Sequence, residues 1–300
     1  MAFANAALVN WDIAECAVHD LGDAPQECDA AYGGLLDALG GSLAALADAD
    51  CVRLLGPIVP GATMARGARL PGTSHELDPV AAAFCVGVAA CWSGGRDPAR
   101  ENFGALWALM DYRSRRAHDG AEPPLRVDEL LAALTRARRI QAALEAEPGY
   151  PSLAMAGKVA VRVASAAVAT QLLGGDLAQI AAASTHAWLD GAPLPAHPRA
   201  TPIATRTRWA AADATSRGVR LALMAVATTG HPGASSGGRR LALPDVPPVD
   251  VSACIERFAA QLSSHFGARR GAMILARVTD RAALAAMPVH ELSALLVHNA

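Results

Sequence analysis

Two Asp-Pro steps, Asp78-Pro79 and Asp97-Pro98, each stand at the head of an apolar run with helical spacing. An aspartate side chain accepts the free amide hydrogens of a helix start. Proline suits the first helical position, where its missing N–H has no intrahelical partner. After the first step Val80, Phe84, Gly87, Val88 and Cys91 recur at intervals of three and four and form one apolar face. After the second, Phe103, Leu106, Trp107 and Met110 do the same, and Arg113, Arg115 and Arg116 sit near the negative end of that helix's dipole. The stretch from Pro71 to Ala117 therefore predicts a hairpin of two helices. Its hydrophilic part is the connection Ser93-Gly94-Gly95-Arg96, where a chemical site on this hairpin is expected.

The rest of the chain extends the same architecture. Hydrophobic residues make up 52% of it but aromatics only 4%, so alanine carries much of the apolar content. Alanine has the best helix propensity and lets helices approach closely, which favours an all-α fold. Helices are expected over 26–47, with Gly40-Gly41 permitting close packing or a kink, and over Val127–Glu147. Another runs from about Ser152 to the Gly174-Gly175 stop, and a further one, capped by Asp176, covers Leu177–Leu189. A short amphipathic segment spans Trp11 to Val18, and residues 52–72 read as a Pro/Gly-punctuated connection. After a proline-rich loop, a helix is expected over Trp209–Thr228.

Residues 229–250, TGHPGASSGGRRLALPDVPPVD, keep no hydrophobic period and read as a linker. Beyond it come a helix over Val251–Phe266, a short strand over Met273–Val278, and short helices near Arg281–Ala286 and Val289–Val297. The expected organisation is a helical domain over 1–228, the linker, and a C-terminal helical return to that domain over 251–300.

Charge and cysteine usage narrow the function classes. A net charge of −2 with acids and bases interspersed argues against a nucleic-acid or anionic-membrane partner. The most apolar stretch, Leu153 to Leu173, carries Lys158 and Arg162 and reads as a core helix, not a membrane span. The first residues, MAFANAALVNWD, show no basic region followed by an apolar core, so a cytoplasmic protein is expected. Six cysteines without a CxxC pair point to buried, reduced thiols and not to a disulfide frame or zinc site. The histidines lack HExxH or other ligand spacing, and the glycines near Arg239-Arg240 lack the GK[ST] of a phosphate loop. No metal or cofactor is expected.

Four separated segments carry a family resemblance: LLGPIVPG (54–61), LPGTSHELDPVAAAF (70–84), WAAADATSRGVRLALMA (209–225) and DRAALAAMPVHEL (280–292). Together they resemble the MmgE/PrpD family of 2-methylcitrate dehydratases. GLLDALGGSLAAL (34–46), KVAVRVASAAVATQLLGG (158–175) and HAWLDG (186–191) resemble it more loosely. The resemblance implies a large helical domain which, in the family, is interrupted by a smaller α+β lid. Here the linker 229–250 stands in the place of that lid.

The resemblance also exposes departures. Where the family has an aspartate-rich stretch and a His-Pro step, this chain has SGGRDPAR with Asp97-Pro98. Where the family has a second histidine, this chain has Ala156-Gly157-Lys158, and Thr207 occupies the place of a family lysine. Dehydrating a hydroxy acid needs a base for the proton and an acid for the leaving hydroxyl. The parent hydro-lyase reaction is therefore expected to be lost or altered.

Two readings follow. In the first, the chain still binds a small di- or tricarboxylate through Arg206, Arg208, Asn102, Arg96 and Asp97. Arginine forks suit a carboxylate, although Arg206 and Arg208 are equally readable as solvated arginines and Asp97 as an N-cap. In the second, it is a non-catalytic helical scaffold, a homodimer or a partner of a full-length relative. On either reading, Asp213, Thr215 and Arg217, which the chain shares with the family it resembles, are expected as packing or dimer determinants, and Thr73 to Glu76 as a structural turn and not a nucleophile cluster.

Overall fold

A computed structural model describes residues 11–19, 25–93, 98–117, 123–146, 156–190, 203–228 and 246–297, the side chains at 98–99, 156–157 and 203–207 excepted. The expected linker falls mostly outside these residues. The described chain is all-α apart from one small ladder. Helix α1 covers 11–18, α2 Pro25–Ala45, α3 Ala49–Val52, α4 Pro79–Cys91, α5 Pro98–Arg116, α6 Val127–Ala146, α7 Ala156–Leu172, α8 Leu177–Leu189 and α9 Ile203–Ala227. The return consists of α10 Val251–Phe266, α11 Ala268–Thr279, α12 Arg281–Ala286 and α13 Val289–Leu295.

Helices α4, α5, α7 and α9 pack together at the centre. Asp78 caps α4 as its spacing predicts, accepting the Val80 and Ala81 amides at 2.9 and 3.1 Å. Phe103, Leu106, Trp107 and Met110 of α5 are fully buried. Small residues set the helix separation. A Cβ added at Gly104 would stand 2.3 Å from the Ala83 carbonyl oxygen, and one at Gly87 3.0 Å from Ala212 Cα. Gly40 on α2 differs, because its added Cβ would meet Phe258 Cδ2 at an ordinary 3.5 Å.

Gly104→Ala is therefore expected to destabilise the protein by about 2 kcal/mol. Overpacking against backbone costs about 3 kcal/mol, and the better helix propensity of alanine returns about 1. Gly40→Ala keeps the propensity gain without the clash and should be neutral or stabilising by up to about 1 kcal/mol. Urea unfolding of both variants measures the contrast.

Three features differ from the sequence expectation. Residues 273–278 belong to α11 and are not a strand. Gly271, Ile274 and Val278 are buried at helical spacing while Met273 is 62% exposed, a pattern that alternation cannot produce. Helix α9 starts at Ile203, before Trp209, because no proline or glycine interrupts it between Pro202 and Gly218. Just before the expected connection, Asp48 caps the short α3. Farther on, β1 (Ala68–Arg69) pairs antiparallel with β2 (Glu76–Leu77) around a turn held by Thr73, whose hydroxyl donates to the Leu70 carbonyl.

The return lies on the body. Cys254, Phe258 and Leu262 of α10 are buried, Phe258 facing α2. The Tyr32 hydroxyl of α2 donates to the Val278 carbonyl at 3.0 Å. At the far end, Val127 N–H donates to Met287 O and Val289 N–H to Leu125 O, both at 2.9 Å. The cysteines are all free. Cys51, Cys85 and Cys254 are buried as expected, whereas Cys28 is exposed. Burial pushes the Cys51 thiol up to about 12 and Cys85 up to about 11, which leaves these thiols unreactive.

Candidate functional site

The hairpin connection itself, with the candidates Arg96 and Asp97, lies outside the described residues. The chain on either side of it is described: the end of α4 and the first turns of α5. A polar network fills this end of the bundle. The Lys158 ammonium, on the first turn of α7, pairs with Glu101 Oε1 on the first turn of α5. Gln141 of α6 donates through Nε2 to Glu101 Oε2 at 2.8 Å and to Glu145 Oε1 at 3.2 Å. Asn102 Nδ2 donates to Gln141 Oε1 at 2.5 Å, and Asn102 Oδ1 accepts from Ser165 Oγ at 2.8 Å. Ser165 Oγ then meets Thr215 Oγ1 of α9 at 2.9 Å, and Thr215 accepts the Ala105 amide at 3.1 Å.

This network is dry. Asn102, Ser165 and Thr215 are fully buried, Gln141 nearly so, and Glu101 is 3% exposed. The Lys158 side chain reaches partly toward water, at 24%, and Glu145 at the edge of the network is half-buried. A carboxylate at the positive end of α5 is also favoured by the helix dipole. Chemically, its buried part is an ammonium and a carboxylate that neutralise each other, buttressed by amides and hydroxyls that bond one another, with the Glu145 carboxylate at its half-buried edge. Such an arrangement orients four helices.

Arg208 lies elsewhere. Its exposed guanidinium stacks over the Trp92 ring, 5.0 Å from the centroid, while Trp92 Nε1 donates to Asp48 Oδ2 at 2.7 Å. That indole bond, with the Asp50 amide, holds the Asp48 carboxyl below the usual carboxylate range. Asp48, Trp92 and Ser93 line an open depression of about 560 Å³. An anionic ligand there would face the ionised Asp48. Arg206 is in α9, with its side chain outside the described set. Of the two candidates whose side chains are described, Arg208 packs on Trp92, and Asn102 faces Gln141 and Ser165 in the interior.

Thr215 is a packing residue. Arg217 bonds Asp213 at 3.2 Å and Asp190 at 3.3 Å, which ties α9 to the end of α8. Among the described residues, no group of three or more His, Cys, Asp or Glu side chains is placed to hold a metal ion. No described helix is long and apolar enough to cross a membrane. Sequence reasoning missed Glu101, Gln141 and Ser165. The available signal was Asn102, which lies four residues before Leu106 and so on the apolar stripe of α5.

Comparison with known proteins matches residues 12–237 to the MmgE/PrpD N-terminal domain. The 2-methylcitrate dehydratase of Salmonella typhimurium is 40% identical over 215 residues, covering 69% of this chain and 44% of the relative. The mitochondrial 2-methylcitrate dehydratase of Yarrowia lipolytica is 34% identical over 198 residues, 63% of this chain and 38% of its own. A fungal alkylcitrate dehydratase is 34% identical over 221 residues, 68% of this chain and 44% of its own. The matched region therefore spans less than half of each of these relatives, and the return α10–α13 lies outside the family match.

Proposed function

Because the chain belongs to the MmgE/PrpD family, we propose that it is a 2-methylcitrate dehydratase-like helical scaffold that does not by itself carry out the dehydration. It would work in the cytoplasm by association with a second copy or with a longer relative. The observation that carries this reading is the Lys158–Glu101 pair. The region where the family resemblance implies a catalytic histidine holds an ammonium already neutralised by a buried carboxylate. Asn102, the most central candidate for substrate contact, bonds its amide to Gln141 and Ser165. In this reading residues 1–228 and 251–300 form one helical domain, supported by the buried Phe258 contact, and 229–250 stands where the family's lid would be.

A second reading, retained binding of a di- or tricarboxylate, is favoured by the exposed Arg208 guanidinium beside the Trp92 depression. Asp48 opposes it. Thermal unfolding with citrate, 2-methylcitrate, cis-aconitate and itaconate in excess separates the two, because a ligand that binds only the folded chain raises the midpoint. The expected result is no shift, with a full-length relative responding as control. A reproducible shift that disappears in Arg206→Ala and Arg208→Ala variants would replace the scaffold reading by the carboxylate-binding one. Sedimentation of the purified chain, alone and mixed with the relative, then tests association directly.

A further inference from the structure

Asp111, on the C-terminal half of α5, is fully buried where α5, β1 and α13 meet. Its carboxylate makes two hydrogen bonds, from Ser293 Oγ of α13 at 2.6 Å and from the Arg69 amide of β1 at 2.7 Å. Both donors are neutral. The charged groups that face it are the Arg69 and Arg115 guanidiniums, and both are shared with Glu76 of β2. Arg115 bonds Glu76 Oε1 at 2.6 Å and Arg69 lies 3.5 Å from the same oxygen. Arg69 also donates to the His290 carbonyl at 3.1 Å. The remaining titratable neighbour, His290 of α13, places Nδ1 2.8 Å from Ser114 Oγ. One cluster thus fastens the end of the C-terminal return to the body, and a buried carboxylate without a cation in direct contact sits at its centre.

We infer that the grip of α13 on the body is proton-linked, tight when Asp111 carries a proton and looser when it is ionised. The hydrogen bonds accommodate the protonated form completely. Its O–H donates to Ser293 Oγ, the serine hydroxyl turns to the His290 carbonyl at 3.0 Å, and the other carboxyl oxygen keeps the Arg69 amide. Ionisation sends the proton to solvent and leaves a charge in a site closed to water, which burial penalises. Opening α13 lets water reach the carboxylate and removes that penalty. Burial is also the main cause that lifts the Asp111 carboxyl to about 6, against the pull of Ser293, the Arg69 amide and the two arginines. The sign follows. Docking strength is complete below the ordinary aspartate range near pH 4 and is lost as pH rises through about 6.

Hydrogen exchange of the full chain, corrected for intrinsic rates, reads this as the opening constant of the amides of Leu292 to Leu296. Opening is expected to rise by up to about a hundredfold between about pH 4 and pH 7, with α7 amides as internal reference. In Asp111→Asn the rise should vanish, since the amide oxygen takes the Arg69 N–H and the amide nitrogen donates to Ser293. A flat wild-type profile, or an Asp111→Asn profile as steep as wild type, overturns the inference. Should Asp111→Asn fail to fold, Ser293→Ala decides. Removing a donor to the ionised form must shift the rise to higher pH, and an unmoved rise overturns the inference.

Discussion

Replacing Phe258 by alanine is expected to cost about 4 kcal/mol and to lower the melting midpoint of the whole chain in a single transition. Phe258 is 1% exposed and lies across α2, with Cδ2 3.5 Å from where a Gly40 Cβ would be. Truncating a buried phenylalanine removes its transfer free energy and leaves a cavity, about 3–5 kcal/mol together. In a chain of this size that is roughly 8 °C. The neighbouring contact gives the contrast. Arg257 grips both oxygens of Asp37, at 2.9 Å through Nη2, but its side chain is 57% exposed. An ion pair so open to water contributes under about 1 kcal/mol, so Arg257→Ala should barely move the midpoint. Apolar burial holds the return in place, and the charge pair sets its orientation. Differential scanning calorimetry distinguishes the outcomes. A second, separate transition in Phe258→Ala would mean that the return folds apart from the helices that precede it.

The parts of this fold that were legible in the sequence are those written by local chemistry. Asp78 before Pro79, Asp176 before Leu177, and the Gly174-Gly175 stop each act within one turn of themselves, and the structure places all three at helix ends. The β1–β2 ladder was not legible, because two residue pairs carry no alternation to detect. Residues 273–278 misled for a related reason: a six-residue segment, apolar but for Arg277, is too short to separate strand from helix. The candidate site was the least legible. Glu101, Gln141 and Lys158 lie on three different helices, and their mutual satisfaction has no period. Yet Asn102 and Asp111 both interrupt an apolar stripe, at one turn from Leu106 and Trp107. A polar residue where periodicity demands an apolar one marks a buried network, and here it marks two.

Lys158→Met is expected to destabilise the protein by about 3 kcal/mol, and the loss should be largely cancelled by adding Glu101→Gln. Taking away one partner of a buried ion pair strands the other charge, at about 3–5 kcal/mol. The lysine side chain is 24% exposed, so water reaches part of the site and the lower end applies. With Glu101→Gln the charge is gone, and the new amide oxygen still accepts the Gln141 Nε2 hydrogen now given to the carboxylate at 2.8 Å. The double variant should then lie within about 2 kcal/mol of wild type, because methionine fills the space of the lysine stem and the stranded charge is gone, while the new amide nitrogen stands where the oxygen met the lysine and costs about 1 kcal/mol. Urea unfolding of the four proteins closes the cycle and gives the coupling energy directly. The same four proteins test the reading of function. If the lysine orients helices, stability follows the cycle and no 2-methylcitrate turnover appears in any of them. If it is instead an acid or base of a surviving reaction, Lys158→Met abolishes turnover that wild type displays, and the scaffold reading falls with it.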